Sequence, residues 1–263
     1  MSFFFFFFKQ KTAYEIVFGD GVQTCALPIY LGRRHGLVGQ ETTGVGGMAN
    51  ALRTVPVALD IARDVARLAP RALIVNFANP AGLVAQALAD RVPEVASVGV
   101  CNVGITASMR LRSLYAKLTG DEPDPTRVVL ETLGLNHLTW HRGFYVDGVD
   151  RWDMLFPALL DEIEAEEHPG FDRRTLETLG MMPNYYLKYY YYTSRMIAEQ
   201  EAWPPSRAEE VMVVEKELLA RYADPELRAA PPELMKRGGA YYSELATRVI
   251  ADYAGGPGGV HVV

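Results

Sequence analysis

Between Met48 and Ala69 the apolar residues Leu52, Val55, Leu59, Ala62 and Ala66 recur at close to helical spacing, which predicts a helix with one buried stripe. Pro56 falls inside this pattern. It lacks the N–H that an interior turn requires, so it is expected to kink the helix or to mark its first turn. Arg71–Phe77 contains the unbroken run ALIVNF, of the length and character of a strand buried on both faces. Asn79-Pro80 ends it. Ala81–Arg91 reads as a helix, Val95–Val100 as a second short apolar strand ending at Cys101, and Ile105–Leu118 as a helix again. Strand, helix, strand, helix in this order predicts a βαβ unit and a parallel sheet.

The texture then changes. Val128–Leu133 and Gly143–Val149 read as strands, with a hairpin signal at Asp147-Gly148. Asp153–Glu167 reads as an acidic helix with a solvated face. Tyr185–Tyr192 is dense in tyrosine. Ser206 and Glu209 have the S-x-x-E spacing of a capping box, opening a helix to about Tyr222. Pro231-Pro232 breaks the chain, and Gly238–Tyr253 reads as a last helix stopped by Ala254-Gly255-Gly256-Pro257. The closing VHVV reads as a strand with nothing after it, so the C-terminus is expected to be cut. No internal repeat is visible.

Composition narrows the function classes. The 263 residues are 49% hydrophobic and 22% charged, enough apolar material for a sizeable core. A net charge of −6 provides no basic surplus for nucleic acid, but it leaves room for a phosphate pocket with one or two local cations. No apolar run reaches the ~18 residues of a membrane span. Two cysteines are too few for a disulfide framework, so a reduced, cytoplasmic setting is expected.

Residues 1–29 form a leader unlike the rest. Residues 3–8 are all phenylalanine. The basic residues follow this apolar run and no small-residue cleavage site closes it, so it does not read as a secretory signal. KQKTAYEI (Lys9–Ile16) and GVQTCALPI (Gly21–Ile29) match the two translated halves of a common sequencing adapter. We therefore expect residues 1–29 to be adapter-derived, which leaves Cys101 as the one genuine cysteine.

The candidate chemistry begins at strand ends. In open α/β sheets, ligands bind beyond the carboxyl ends of the strands. Asn79, Cys101 and Asn102 sit at such ends. A lone Cys is most often a small core residue, and a lone His is more often structural than a ligand. The pairing of each with asparagine, Cys101-Asn102 and Asn136-His137, raises both. Neither has the C-x-x-C spacing of a zinc site. GQETTGVGG (Gly39–Gly47) reads as a glycine-rich loop leading into a helix, suited to an anion or polar ligand. It lacks the G-x-G-x-x-G pattern of a dinucleotide loop. The tyrosine cluster suits a core, an interface or a site. A tyrosine with a pKa near ~10 acts as a base only where a cation lowers it. Arg207 and the pair Lys236-Arg237 are candidate anion contacts that equally suit a surface.

Taken together, GQETTGVGGMANALRTVPV, LIVNFANPAGLV, VGVCNVGI, GLNHLTW, PNYYLKYYYY, SRAEEV and KRGGAYYSELA resemble glycoside hydrolase family 4, and most of all its 6-phospho-β-glucosidases. The resemblance runs from about Leu37 to Val263. It implies an α/β fold, with a truncated Rossmann domain of the lactate/malate-dehydrogenase type over 30–125 joined to a partial α+β catalytic domain over 126–263. It implies NAD and a divalent metal, most often Mn2+. It also implies a phosphorylated disaccharide or aryl 6-phospho-glucoside as substrate, and a homo-oligomer. The implied chemistry is redox-assisted elimination: oxidation at C3, removal of the C2 proton, departure of the aglycone from C1, addition of water and return of the hydride. By the same resemblance, Cys101 and His137 are metal ligands and Tyr186 is the base, with Tyr185 and Tyr189 as rivals. Arg207 contacts the sugar phosphate. Asn79 and Asn102 contact substrate, and Asn79 also contacts the cofactor.

The departures are specific. The family's first strand and glycine-rich cofactor loop are not seen ahead of Tyr30, and Gly104 stands where proline is usual. NAD binding and activity are therefore expected of the parent enzyme more than of this chain alone. Two other readings are a hydroxy-acid dehydrogenase of the same superfamily and a non-catalytic incomplete fragment.

Overall fold

The computed structural model describes residues 26–40, 42–166, 170–202, 207–237 and 241–256. Most of the leader, Glu41, Ser206 of the expected capping box and the VHVV segment lie outside them. The chain forms two compact units. One runs to Val100 and resumes over Ser194–Gly239; the other comprises Cys101–Thr193 and Ala240–Val263.

The first unit opens with α1 (Ala26–Arg34) and α2 (Gly44–Leu68). The second helix begins ahead of its predicted start, so GVGG is its opening turn and not a loop. Gln40 caps the turn, its Oε1 accepting from Thr43 N and Oγ1 at 2.9 and 2.6 Å. Gly47 is required there, because a Cβ would stand 2.5 Å from the Thr42 carbonyl. Pro56 lies in the interior of α2, not in its first turn. The carbonyl that loses its donor belongs to Leu52, an exposed position where water can replace the bond. Strand β1 (Leu73–Asn76), helix α3 (Ala81–Arg91) and strand β2 (Ala96–Gly99) follow. The strands pair in parallel, Leu73 with Ala96 through Asn76 with Gly99, with α3 as the crossover. Ile74, Val84, Leu88, Val92 and Val95 bury against Ala62 and Val65 of α2. The sequence pattern is thus realised as a βαβ unit.

The second unit starts with α4 (Asn102–Thr119). A four-stranded sheet follows, of β3 (Val128–Leu135), β4 (Leu138–Val146), β5 (Val149–Asp150) and, paired with β4, β6 (Met182–Pro183). The predicted second strand is split: Asp147 and Gly148, both at positive φ, make the tight turn between β4 and β5. A register shift opposite Glu131/Thr132 leaves Arg142 unpaired on β4. This bulge lets Thr139 and His141 face inward before it, and Phe144 and Val146 after it. Between the sheet and β6 run α5 (Trp152–Glu164) and α6 (Arg173–Leu179); after β6 comes α7 (Leu187–Tyr191).

The core joins Leu111 and Leu114 of α4, Phe144 and Val146 of β4, Leu155 and Leu159 of α5 and Leu176 of α6. Each such side chain contributes roughly 1.5–3 kcal/mol on burial. The acidic face of α5 is paired in part: Glu162 meets Lys117 at 2.8 Å, and Arg173 meets Asp161 and Glu164 at 2.7 and 2.9 Å. Helix α6 was not foreseen, although Asp172 caps it and Gly180 closes it at φ 60.

The chain then forms α8 (Thr193–Ala202), α9 (Arg207–Tyr222) and α10 (Glu233–Arg237). Gln200 ties the Gly39 backbone to α8 with two hydrogen bonds, at 2.8 and 2.9 Å. Helix α11 (Tyr242–Tyr253) belongs to the second unit. Among the described residues no helix is long and apolar enough to cross a membrane.

Candidate functional site

His137 is the second residue of the two-residue turn joining Leu135 of β3 to Leu138 of β4. Its backbone is left-handed, at φ 65, a conformation few side chains adopt but histidine tolerates better than most. Gly134, at φ 102, makes the turn possible, because a Cβ there would stand 2.4 Å from the Leu138 carbonyl oxygen. This geometry buries the imidazole at 2% exposure. Burial brings its pKa down to about 4, so the ring is neutral at ordinary pH and keeps a lone pair for a ligand.

Cys101 immediately precedes α4 in extended conformation. Its Sγ stands 3.4 Å from His137 Nε2. Burial pushes the thiol up, while the amides of Val103 and Asn102 and the Asn136 side chain pull it down. A thiol flanked by helix N-terminal amides is poised to lose its proton when a cation arrives.

Tyr186 closes the other face of His137. The two rings stack at 3.8 Å between centroids and 10° between planes. Asn184, at 3% exposure, holds that arrangement. Its Oδ1 accepts from Tyr186 N at 2.9 Å, its Nδ2 donates to Thr139 Oγ1 at 3.0 Å, and its N donates to the Thr139 carbonyl at 2.8 Å. Tyr185 lies under the Lys188 ammonium, 3.6 Å from its ring centre. Tyr189 lies 6.2 Å from the Tyr186 ring. Of the three tyrosines weighed from sequence, Tyr186 is the one stacked on His137.

The Cys101–His137 pair fits a metal ion as far as two donors can. Donors sharing one ion through bonds of about 2.3 Å to sulfur and 2.1 Å to nitrogen stand roughly 3–3.7 Å apart. The observed 3.4 Å lies within that range. His137 Nε2 faces the sulfur, while Nδ1 is buried with no hydrogen-bond partner among the described residues. No group of three His, Cys, Asp or Glu side chains gathers among the described residues. The remaining positions of any ion here would fall to other groups, as in sites that keep open positions for substrate.

The other expected residues are placed as follows. Asn102 opens α4 and lines a cavity of about 340 Å³ in the second unit, as does Tyr186. Asn79 belongs to the first unit. Its carbonyl accepts from Asn50 Nδ2 at 3.1 Å, and its bond to Pro80 is cis. Arg207 is the first residue of α9, and its side chain lies outside the described residues. Three participants were not singled out from sequence: Asn184, Thr139 and His141. His141, at 1% exposure, lines the same cavity. Its Nδ1 meets Thr132 Oγ1 at 2.9 Å, and burial brings its pKa down to about 4. The period-two spacing of Thr139 and His141 after His137 was a usable signal. The strand expected from Gly143 starts at Leu138 and so includes both residues.

The chain is similar to known proteins along most of its length. Residues 14–116 match the model of family 4 glycosyl hydrolases, and residues 132–263 match that of the family's C-terminal domain. The first match begins inside the leader, at Tyr14. A probable 6-phospho-beta-glucosidase of Bacillus subtilis is 38% identical over 230 residues, which are 83% of this chain and 50% of that protein. A 6-phospho-beta-glucosidase of Escherichia coli is 35% identical over 82% of this chain and 49% of its own length. The chain thus spans about half the length of these relatives. A solved 6-phospho-beta glucosidase of Thermotoga maritima, with manganese, NAD+ and glucose-6-phosphate, superposes with a TM-score of 0.74 at 30% identity, over 88% of this chain and 53% of that one. On the match of its sequence motifs, its βαβ unit and both family models, the chain belongs to family 4 of the glycosyl hydrolases.

Proposed function

We propose that this chain carries part of an NAD- and divalent-metal-dependent 6-phospho-β-glucosidase. In that reading 30–125 is the later part of the cofactor domain and 126–263 is part of the catalytic domain. The observation that carries it is one cluster: Cys101 Sγ at 3.4 Å from His137 Nε2, with Tyr186 stacked on the same imidazole.

Cys101 and His137 are the residues that would hold the metal. When bound, the metal would supply stabilisation of negative charge beside C2 of the sugar, and NAD would supply reversible oxidation at C3. Manganese is the expected ion by family likeness. A thiolate and an imidazole are softer donors than manganese ordinarily takes, so oxygen from the substrate would complete its surroundings. Tyr186 is the group assigned to the C2 proton, held against His137 by Asn184. Asn102, next to Cys101, contacts the sugar. Asn79 is assigned to substrate and cofactor, and Arg207 to the 6-phosphate. The substrate is a phosphorylated disaccharide or an aryl 6-phospho-β-glucoside. The relatives named 6-phospho-beta-glucosidases support this class. Cys101 is a free thiol, which supports a reducing, cytoplasmic setting.

Cobalt(II) titration tests the metal pair, because a thiolate ligand gives a near-ultraviolet charge-transfer band. The band is expected in the wild-type chain and absent in Cys101→Ser and His137→Ala. Release of a nitrophenol from its 6-phospho-β-glucoside, dependent on manganese and NAD and with no net NADH, tests the reaction. Net NADH accumulation with a 2-hydroxy acid would instead establish the dehydrogenase reading.

A further inference from the structure

The cavity in the second unit begins where the candidate cluster ends. Asn102, beside Cys101, and Tyr186, stacked on His137, both line it. Beyond them its wall is mostly apolar, through Val103, Ala107, Ile163, Phe171, Leu176 and Met182, with Thr106, Asn184 and Tyr185 among its polar members. An apolar cavity of about 150 Å³ admits a benzene ring. The roughly 340 Å³ present here leaves room for a substituted one, within the range of small-molecule sites.

Charge decides which end of the substrate fits. A phosphate dianion needs an uncommitted cation. The cavity's one lysine or arginine among the described residues is Arg110. Its guanidinium is already committed to Glu166 at 3.0 Å and Glu162 at 3.6 Å. This part of the wall is therefore neutral to acidic, and it disfavours a phosphate. His141 adds no charge, since burial keeps it neutral down to about pH 4. With Nδ1 engaged by Thr132, Nε2 is its remaining hydrogen-bonding atom. Uncharged, that nitrogen offers a single hydrogen bond, as donor or acceptor according to the tautomer.

We propose that this cavity receives the leaving group of the substrate, a neutral and largely apolar aglycone such as a phenol, with His141 as a hydrogen-bonding group of its wall. The assignment rests on the glycosidase reading above and deepens it. An aryl 6-phospho-β-glucoside is then a substrate class whose leaving group would bury against the apolar part of this wall.

The test uses the whole 263-residue chain and two probes, phenol and glucose 6-phosphate, followed by ligand-observed NMR. Thr106, which lines the cavity at an exposed position of α4, is replaced in Thr106→Trp to narrow the mouth without entering the core. Ala107→Phe fills the cavity from within. Phenol is expected to bind the wild-type chain, and both variants to weaken it at least tenfold. Glucose 6-phosphate binding is expected to change less than twofold. Absence of phenol binding, or phenol binding that Thr106→Trp leaves intact, overturns the proposal. So does selective loss of glucose 6-phosphate, which would make the cavity a phosphate site. The cobalt band of Cys101 and His137, measured on the same samples, separates the two readings. A band without phenol binding defeats the aglycone cavity and leaves the metal pair standing. Phenol binding lost in Thr106→Trp without a band upholds an aryl-binding cavity and defeats the metal pair.

Discussion

His137 reaches Cys101 only because its backbone is left-handed, and that conformation depends on Gly134 three residues earlier. Gly134→Ala is expected to destabilise the chain by about 2–3 kcal/mol, since it adds both a positive-φ penalty and a clash with the Leu138 carbonyl. Urea unfolding would measure this, and a change below ~0.5 kcal/mol would show that the turn relaxes. Tyr186 offers a second test at this scale. Tyr186→Phe keeps the ring that stacks on His137 and removes the hydroxyl. It is expected to retain the cobalt band and to lower turnover about 10²–10⁴-fold, the usual contribution of a general base. A variant with undiminished kcat would remove Tyr186 from that role and turn attention to Tyr185 and Tyr189. The Cys-Asn and Asn-His pairs were visible as residue types in sequence, but their proximity was not. It depends on a turn whose left-handed residue is a histidine, where glycine or asparagine would have been the ordinary signal.

At the scale of elements, Asn184 joins two segments that matter to the candidate site. It fastens the chain after β6 to Thr139 of β4, and β4 starts one residue after His137. Asn184→Ala leaves buried polar atoms of Thr139 and Tyr186 without their partner, and is expected to cost roughly 1–3 kcal/mol. Near-ultraviolet circular dichroism should also change as the Tyr186 ring loosens; an unaltered spectrum would mean that stacking alone holds it. Helix α5 separates the two faces of one element. Leu159, fully buried, is expected to cost about 2–5 kcal/mol as Leu159→Ala. Asp161→Asn, on the exposed face, should leave the unfolding midpoint nearly unchanged, because exposed ion pairs contribute little. The long periodic runs were legible: α3 matches its predicted bounds, and β1, β2 and α4 lie close to theirs. The short elements were not. Helices α6 and α7 are too brief to show a period, and the bulge in β4 shifts its inward-facing positions partway along the strand. A strict alternation therefore finds either His141 or Phe144, but not both.

For the whole molecule, two buried neutral histidines link stability to pH. His141 and His137 have folded pKa values near 4, below the ordinary 6.5, because burial disfavours the charged ring. Below about pH 6.5 the unfolded chain binds protons that the folded chain refuses. The stabilisation is therefore complete above 6.5 and is lost as pH falls toward 4, by up to about 3 kcal/mol for each histidine. Urea midpoints between pH 7.5 and 4.5 should fall steadily, and His141→Gln should flatten part of that slope. A wild-type profile that is flat over this range would mean that the rings take up protons without unfolding.

The sequence by itself determined the family, the βαβ unit and the residue types of the candidate site, because long apolar periods and linear motifs are local properties that the chain carries whether or not it is folded. Tertiary structure alone decided which of them meet. The 3.4 Å approach of Cys101 to His137, across 36 residues of sequence, follows from a helix start and a hairpin turn brought together by a shared core. The stacking of Tyr186 on His137 is likewise tertiary, with the Tyr186 backbone bonded to one buried asparagine. The apolar character of the cavity follows from side chains of α4, α5, α6 and β6 that no local pattern connects. Packing settles these features because each depends on atoms distant in sequence, whose separation is fixed only when the core closes.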